Sequence, residues 1–204
     1  TDRTIGNTLT LTGYADLTPF EGLKVTVNGT VTSGESHYTS TQQGFYGYGK
    51  TAYPGGYVYK YNSIVYALNF QQIVNYTKQF GRHNVSVMAG HENYDYRDEW
   101  MSGDREGLFS YFNAQELSAA IKIKENAGSS SRYNTEGWFS RAMYNLDEKY
   151  YLSASYRRDA SSRFHPDHRW GDFYSVGAAW IASKEDWFNV SWIDMLKVKA
   201  SWGQ

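Results

Sequence analysis

The chain has 204 residues, a formal net charge of -1 and no cysteine. The lack of cysteine excludes a disulfide framework, a thiolate metal site and a cysteine nucleophile. The balanced charge, with no basic stripe, excludes nucleic acid as a partner. There is no run of about 18 apolar residues, so no transmembrane helix is available. The sequence starts at Thr1 with no signal peptide, as expected of a mature chain or an internal piece of a longer one. Aromatic residues make up 18%, with 19 Tyr and 7 Trp against only 3 Pro. Mean hydropathy is -0.64. Many aromatics with low hydropathy suit β-strands in which only alternate residues need be apolar.

Alternation begins at once. Leu9, Leu11, Gly13, Ala15 and Leu17 alternate with Thr8, Thr10, Thr12, Tyr14 and Asp16. Thr18 to Gly22, carrying Pro19, predicts a tight turn. Leu23, Val25, Val27, Gly29 and Val31 then alternate with Lys24, Thr26, Asn28, Thr30 and Thr32. Residues 34–61 predict a long connection rich in Gly and Tyr. Its Tyr46, Tyr48, Tyr53 and Tyr57 are candidates for contact with cargo or a partner, because a phenol ring stacks on sugars and keeps a wet hydroxyl. Packing of the loop on itself is the competing reading.

Ile64, Tyr66, Leu68 and Phe70 form the next apolar face, and a turn over 78–83 leads to Val85, Val87 and Ala89. A second long connection is expected over 99–132, where Phe109 and Tyr111 are further contact candidates. Asn113 to Glu125 reads as a short helix or a hairpin within the loop, and the Gly/Ser-rich 126–132 as a mobile segment. Carboxylates Asp95, Asp98, Glu99, Asp104 and Glu106 match no calcium-loop spacing and read as solvated.

Trp138, Ala142, Tyr144 and Leu146 share a face, with Ser140 as the exception. A turn at 146–149 leads into Leu152, Ala154 and Tyr156 against Ser153, Ser155 and Arg157. After a connection at 160–171, Val176, Ala178 and Trp180 alternate with smaller residues. Leu196, Val198, Ala200 and Trp202 oppose Lys197, Lys199 and Ser201. This gives about eight strands of roughly 10–15 residues, enough to cross a bilayer at a tilt.

Connections alternate short and long, the pattern of a membrane β-barrel with tight turns on one side and long loops on the other. Tyr14, Tyr59, Tyr61, Tyr94, Tyr96, Trp100, Tyr150, Tyr151, Trp187 and Trp192 fall at expected strand ends, where an interfacial aromatic girdle would sit. A soluble β-sandwich with an aromatic core is the alternative. The polar set predicted to face a barrel lumen is Thr10, Thr12, Thr26, Asn28, Asn69, Gln71, Ser153, Ser155, Arg157, Lys197 and Lys199. No nucleophile elbow, phosphate loop or zinc motif is present. His165 and His168 in His-Pro-Asp-His lack a rigid third ligand, so no metal site, catalytic residue or cofactor is expected.

The stretch Tyr151-Leu152-Ser153-Ala154-Ser155-Tyr156-Arg157-Arg158-Asp159-Ala160-Ser161-Ser162-Arg163-Phe164 is distinctive. So are Arg169-Trp170-Gly171-Asp172-Phe173 with Ala178-Ala179-Trp180, Ser183-Lys184-Glu185-Asp186-Trp187-Phe188, and Leu196-Lys197-Val198-Lys199-Ala200-Ser201-Trp202-Gly203-Gln204. Together they resemble the barrel of SusC/RagA-family TonB-linked outer-membrane transporters. Ala160 stands where the family usually has Gly, and Lys199 where it usually has Arg. The resemblance implies an all-β antiparallel transmembrane barrel of about 22 strands, residues 1–204 supplying part of its wall without the plug or the TonB-contacting segment. It implies the Gram-negative outer membrane, nutrient import of oligosaccharides first and peptides second, no enzymatic activity, a SusD-like surface lipoprotein, the TonB complex and membrane lipid as partners. It assigns Arg157, Asp159, Ser161, Ser162, Arg163, Phe164, Arg169 and Trp170 to the barrel rim, with Asp159 as the partner of Arg157, Arg163 or Arg169. A secreted carbohydrate-binding sandwich and a passive porin are the alternatives.

Overall fold

The computed structural model describes residues 1–44, 55–109 and 115–204. They form one sheet of eight strands ordered as in the sequence. The strands are β1 (Asp2–Phe20), β2 (Leu23–Gln42), β3 (Tyr57–Phe80), β4 (His83–Leu108), β5 (Ala120–Leu146), β6 (Tyr150–Ser161), β7 (Trp170–Ile181) and β8 (Lys197–Gly203). Short 3-10 turns at Leu117–Ala119, Pro166–His168 and Ala182–Lys184 punctuate the connections.

Strand number and turn positions match the alternation, but strand length does not. β1 to β5 run 19 to 27 residues, where a crossing needs only about 9–11. The predicted connections shrink to 43–56, 109–119 and 162–169. Residues 115–119 enter as a coil and a single 3-10 turn, and β5 begins at Ala120. The Gly/Ser-rich 126–132 lies inside β5. A Cβ on Gly128 would stand 3.1 Å from the Trp100 carbonyl oxygen, so the small residue admits the neighbouring strand. Tyr14, Tyr94 and Tyr96 lie within strands rather than at their ends, while Tyr150 and Tyr151 begin β6.

The chain divides into two compact units: Thr1–Leu11, Val31–Leu68 and Asp95–Arg132 form one, and Thr12–Thr30, Asn69–Tyr94 and Tyr133–Gln204 the other. In the first, cross-strand ion pairs hold β4 to β5. Lys124 reaches Asp104 at 3.1 Å, Lys122 reaches Glu106 at 2.5 Å and Arg132 meets Asp95. Thus three of the carboxylates read as solvated face cations across the ladder. These contacts keep polar residues in strand where alternation of apolar residues has stopped.

In the second unit, the register shows two chemically opposite faces. Ala142 pairs with Ala154, Tyr144 with Leu152, Leu152 with Ala178, Ala154 with Val176, and Val176 with Trp202. The other face brings Arg141 opposite Ser155, Ser153 opposite Gly177, and Ala179 opposite Lys199. The Ser155 and Ser175 hydroxyls meet at 2.7 Å. Among the described residues the only buried apolar ones are Val58, Ala119, Ala120, Ile181 and Ala182. Leu152 is 56% exposed, Val176 52% and Trp202 61%. A sandwich would cover that face with a second sheet about 10 Å away; the described residues supply none.

The tight turns are chemically latched. Gly22 has φ +87° and a Cβ there would collide with the Thr77 carbonyl, so only glycine fits. Asp147 and Glu148 both have positive φ and form the centre of a turn closed by the Lys149 N–H on the Leu146 carbonyl at 2.9 Å, with three residues between the paired Leu146 and Tyr150. The Asp147 N–H donates to the Arg82 carbonyl at 2.9 Å, and Arg82 Nε donates to Asp147 Oδ1 at 2.5 Å. This pair holds the Asp147 carboxyl below its ordinary range. Glu185 accepts from Tyr150 at 2.5 Å, Lys149 at 2.9 Å and Trp180 at 2.9 Å. These donors, Tyr150 first, lower its pKa from 4.5 to about 2. A carboxylate depressed on folding stabilises fully above its unfolded pKa and loses that contribution as pH falls through the folded value. The thermal midpoint of the full-length protein should therefore fall as pH drops from 4.5 to about 2. Glu185→Gln should be less stable at pH 7 and lose less on acidification. Identical acid profiles for the two proteins would contradict this assignment.

Candidate functional site

The polar face carries a second convergent cluster besides that at Glu185. Alternation places Glu92 of β4, Arg141 of β5, Arg157 and Asp159 of β6, and Lys197 and Lys199 of β8 on it. On β1 and β2 the predicted lumen residues pair laterally: Thr10 with Thr32 at 3.4 Å, Thr12 with Thr30 at 3.1 Å, and Thr26 with Asp16 at 2.6 Å. Gln71 donates to Glu92 at 3.3 Å.

Arg157 is the centre of a charge cluster. Its Nε donates to both carboxylate oxygens of Asp159, at 2.8 and 2.7 Å. Its Nη2 donates to Glu92 of β4, and its guanidinium lies 5.6 Å from the Phe139 ring centre. Two glycines open the space. A Cβ at Gly90 would strike the Phe139 ring, and one at Gly137 would sit 2.7 Å from Asp159 Oδ1. Of the three partners proposed for Asp159, the geometry selects Arg157. Arg169 Nε donates instead to the Phe164 carbonyl at 3.1 Å, and Arg163 stacks 3.9 Å from the Tyr133 ring centre.

The other residues expected at the rim close the β6–β7 connection. The Ser162 N–H donates to the Asn134 carbonyl at 2.9 Å, and the Asn134 N–H returns to Ser162 Oγ at 2.8 Å. The Ser161 N–H donates to the Arg169 carbonyl at 3.2 Å, and Ser161 Oγ accepts from the Arg163 N–H at 3.3 Å. Trp170 lies under Arg158 at 5.1 Å, and Phe164 is exposed. The His165 and His168 ring centres are 6.4 Å apart, and both side chains lie on the open surface of this connection.

The contact candidates divide. Tyr46, Tyr48, Tyr53 and Tyr111 lie outside the described residues. Tyr57 shares a 3.1 Å hydrogen bond with Ser40, whose hydroxyl donates to Asp2 at 2.6 Å. Phe109 is exposed beyond β4. Sequence reasoning missed Glu92, Phe139 and the aromatic row of the first unit. Tyr38 and Tyr59 meet edge-to-face at 5.9 Å, and Tyr61 stacks on Trp100 at 5.8 Å. Counting along β3, Tyr61 alternates with Ile64, Tyr66 and Leu68 of the same unit, so the stack lies on the face opposite those exposed apolar side chains.

No protein-family model matches the chain. TonB-dependent receptor SusC of Bacteroides thetaiotaomicron is 32% identical over 147 residues, which is 71% of this chain and 14% of SusC. TonB-dependent receptor P39 of Formosa agariphila is 26% identical over 144 residues, 67% of this chain and 14% of P39. The RagAB peptide importer in its closed-closed state superposes with a TM-score of 0.91 at 23% identity, covering 100% of this chain and 23% of that one. The open-open state gives 0.92 at 23% identity, covering 100% of this chain and 22% of that one. The chain belongs to the SusC/RagA family of TonB-dependent receptors. The sheet is accordingly a stretch of antiparallel transmembrane β-barrel, and the two faces acquire their solvents: lipid outside the SusC/RagA barrel, water within. The chain spans 14% of SusC, so most of such a receptor lies outside it.

The Arg157 cluster gives a double-variant test in the full-length receptor. Arg157→Met leaves Glu92 and Asp159 without their shared cation and should lower stability by on the order of 1 kcal/mol at this half-exposed site. Adding Glu92→Gln should recover part of that loss in thermal melts. Strictly additive losses would show that the two side chains do not interact.

Proposed function

We propose that residues 1–204 form part of the barrel domain of a TonB-dependent importer in the outer membrane of a Gram-negative bacterium. Oligosaccharides are the favoured cargo and peptides the second choice. The fragment supplies wall, lumen lining and outward-reaching hairpins. Energy enters through a plug segment and the TonB complex, and the outer loops 34–61 and 99–132 touch a SusD-like surface lipoprotein or the cargo.

The observation that carries this reading is the single two-faced sheet, with Tyr61 stacked on Trp100 on its polar side. An apolar outer face calls for lipid. A water-facing row of aromatic rings offers flat, partly polar platforms for sugar rings. Peptide cargo draws support from the description of RagAB as a peptide importer.

In cells carrying the full-length gene, Tyr61→Ala with Trp100→Ala should reduce uptake of the cognate oligosaccharide by on the order of tenfold, with surface levels unchanged by immunodetection. Loss of peptide uptake instead would move the assignment to peptides. Unchanged uptake of both classes would remove the aromatic row from the transport path.

A further inference from the structure

On the strands of the second unit, the polar face carries five cations, Lys24, Arg141, Arg157, Lys197 and Lys199, and three carboxylates, Asp16, Glu92 and Asp159. Every one of those carboxylates already has a cation. Asp16 holds Lys24 at 3.1 Å, and Glu92 and Asp159 share Arg157. Arg141, Lys197 and Lys199 have no carboxylate partner among the described residues; Lys197 lies 4.7 Å from the Tyr151 ring centre. Elsewhere, Lys60, Arg82, Lys122, Lys149 and Lys184 each sit on an acid, while Lys78 and Arg163 rest on aromatic rings and Arg105 and Arg169 on backbone carbonyls.

The three cations line one cavity of about 690 Å³. Its floor is made of small side chains in register across three strands, Ser153 opposite Gly177 and Gly177 opposite Ser201. A Cβ on Gly177 would already stand 3.0 Å from Ser153 Oγ, so the floor lies low between long basic side chains. Arg141 lies in register with Gly203 across β5 to β8, so three strand spacings and four residues separate it from Lys199, roughly 19 Å between backbones. That separation suits an extended molecule with several acidic groups rather than one small ion. Guanidinium and ammonium groups without acids of their own attract carboxylate, sulfate or phosphate through charge-assisted hydrogen bonds.

We infer that Arg141, Lys197 and Lys199 form a binding surface for an oligoanionic ligand, so that the cargo, or a segment of it, carries repeated acidic groups. This rests on the import reading, in which the polar face lines the transport path. The shared chemistry is the repeated anion, and its source is an acidic oligosaccharide or an acidic peptide.

The test is calorimetric titration of the purified full-length receptor in detergent with a chondroitin sulfate tetrasaccharide, with tetra-aspartate and with neutral maltotetraose. At least one anionic probe should bind tenfold or more tightly than maltotetraose. The preference should shrink as salt rises to 0.5 M, because screening shortens the reach of exposed charge. It should disappear in the Arg141→Gln, Lys197→Gln, Lys199→Gln variant. Preference for the sulfated sugar identifies an acidic glycan, and preference for tetra-aspartate an acidic peptide. Equal binding of charged and neutral probes overturns the inference. So does a preference that survives in the variant, or a variant whose ligand-free thermal midpoint drops, since that drop means the cations are paired inside the receptor. Cells that import neutral oligosaccharide through a receptor with no charge preference would leave the import reading standing and remove this one alone.

Discussion

The fold depends on an apolar face that no layer among the described residues covers. Leu152, Ala154, Val176, Ala178 and Trp202 stand side by side across β6 to β8. A soluble protein would bury such a surface against a second sheet or a helix layer, and large exposed apolar patches on soluble chains cause association. Lipid removes the conflict: each outward side chain meets hydrocarbon while the backbone bonds are satisfied strand to strand. With that face fixed, alternation puts Ser153, Ser155, Arg157 and Lys199 on the aqueous side. The pairing of opposite solvents with opposite faces explains why a chain of low mean hydropathy belongs in a membrane.

Charge organises what lies beyond the apolar stretches. The β4–β5 hairpin stays in register through Asp104–Lys124 and Glu106–Lys122, and the turns are tied by Arg82–Asp147 and by Glu185 with its three donors. Individually such exposed pairs are weak. Repeated along a ladder whose backbone bonds are already formed, they select register more than they add stability. Arg141, Lys197 and Lys199 gather around one stretch of the polar face with no carboxylate partner among the described residues.

Alternation alone disclosed the strand number, the turns and the two faces, because Leu9/Thr10 and Leu152/Ser153 carry the period of two in the sequence itself. Strand length was not legible. The polar stretches near 95–108 and 120–132 are strand because of partners far away in the chain, as with Arg132 and Asp95, 37 residues apart. The Gly/Ser run at 126–132 was taken for mobile since composition does not reveal that Gly128 fits against Trp100. Arg157 and Asp159 were visible as a pair two residues apart, but Glu92, 65 residues from Arg157, could be placed beside it only by strand pairing. The aromatic row was missed for the same reason: Tyr61 and Trp100 were assigned to strand ends, whereas pairing of β3 with β4 stacks them.

The assignment of lipid to one face and water to the other is tested most directly by site-directed spin labelling. This stretch has no cysteine, so single labels can be read at Leu152→Cys, Ser153→Cys, Ala154→Cys and Ser155→Cys in an otherwise cysteine-free full-length receptor reconstituted into vesicles. Labels at 152 and 154 should collide preferentially with oxygen, which concentrates in lipid, and labels at 153 and 155 with a water-soluble nickel complex. Uniform accessibility along all four positions, or the opposite phase, would contradict a barrel wall with its apolar face in the membrane.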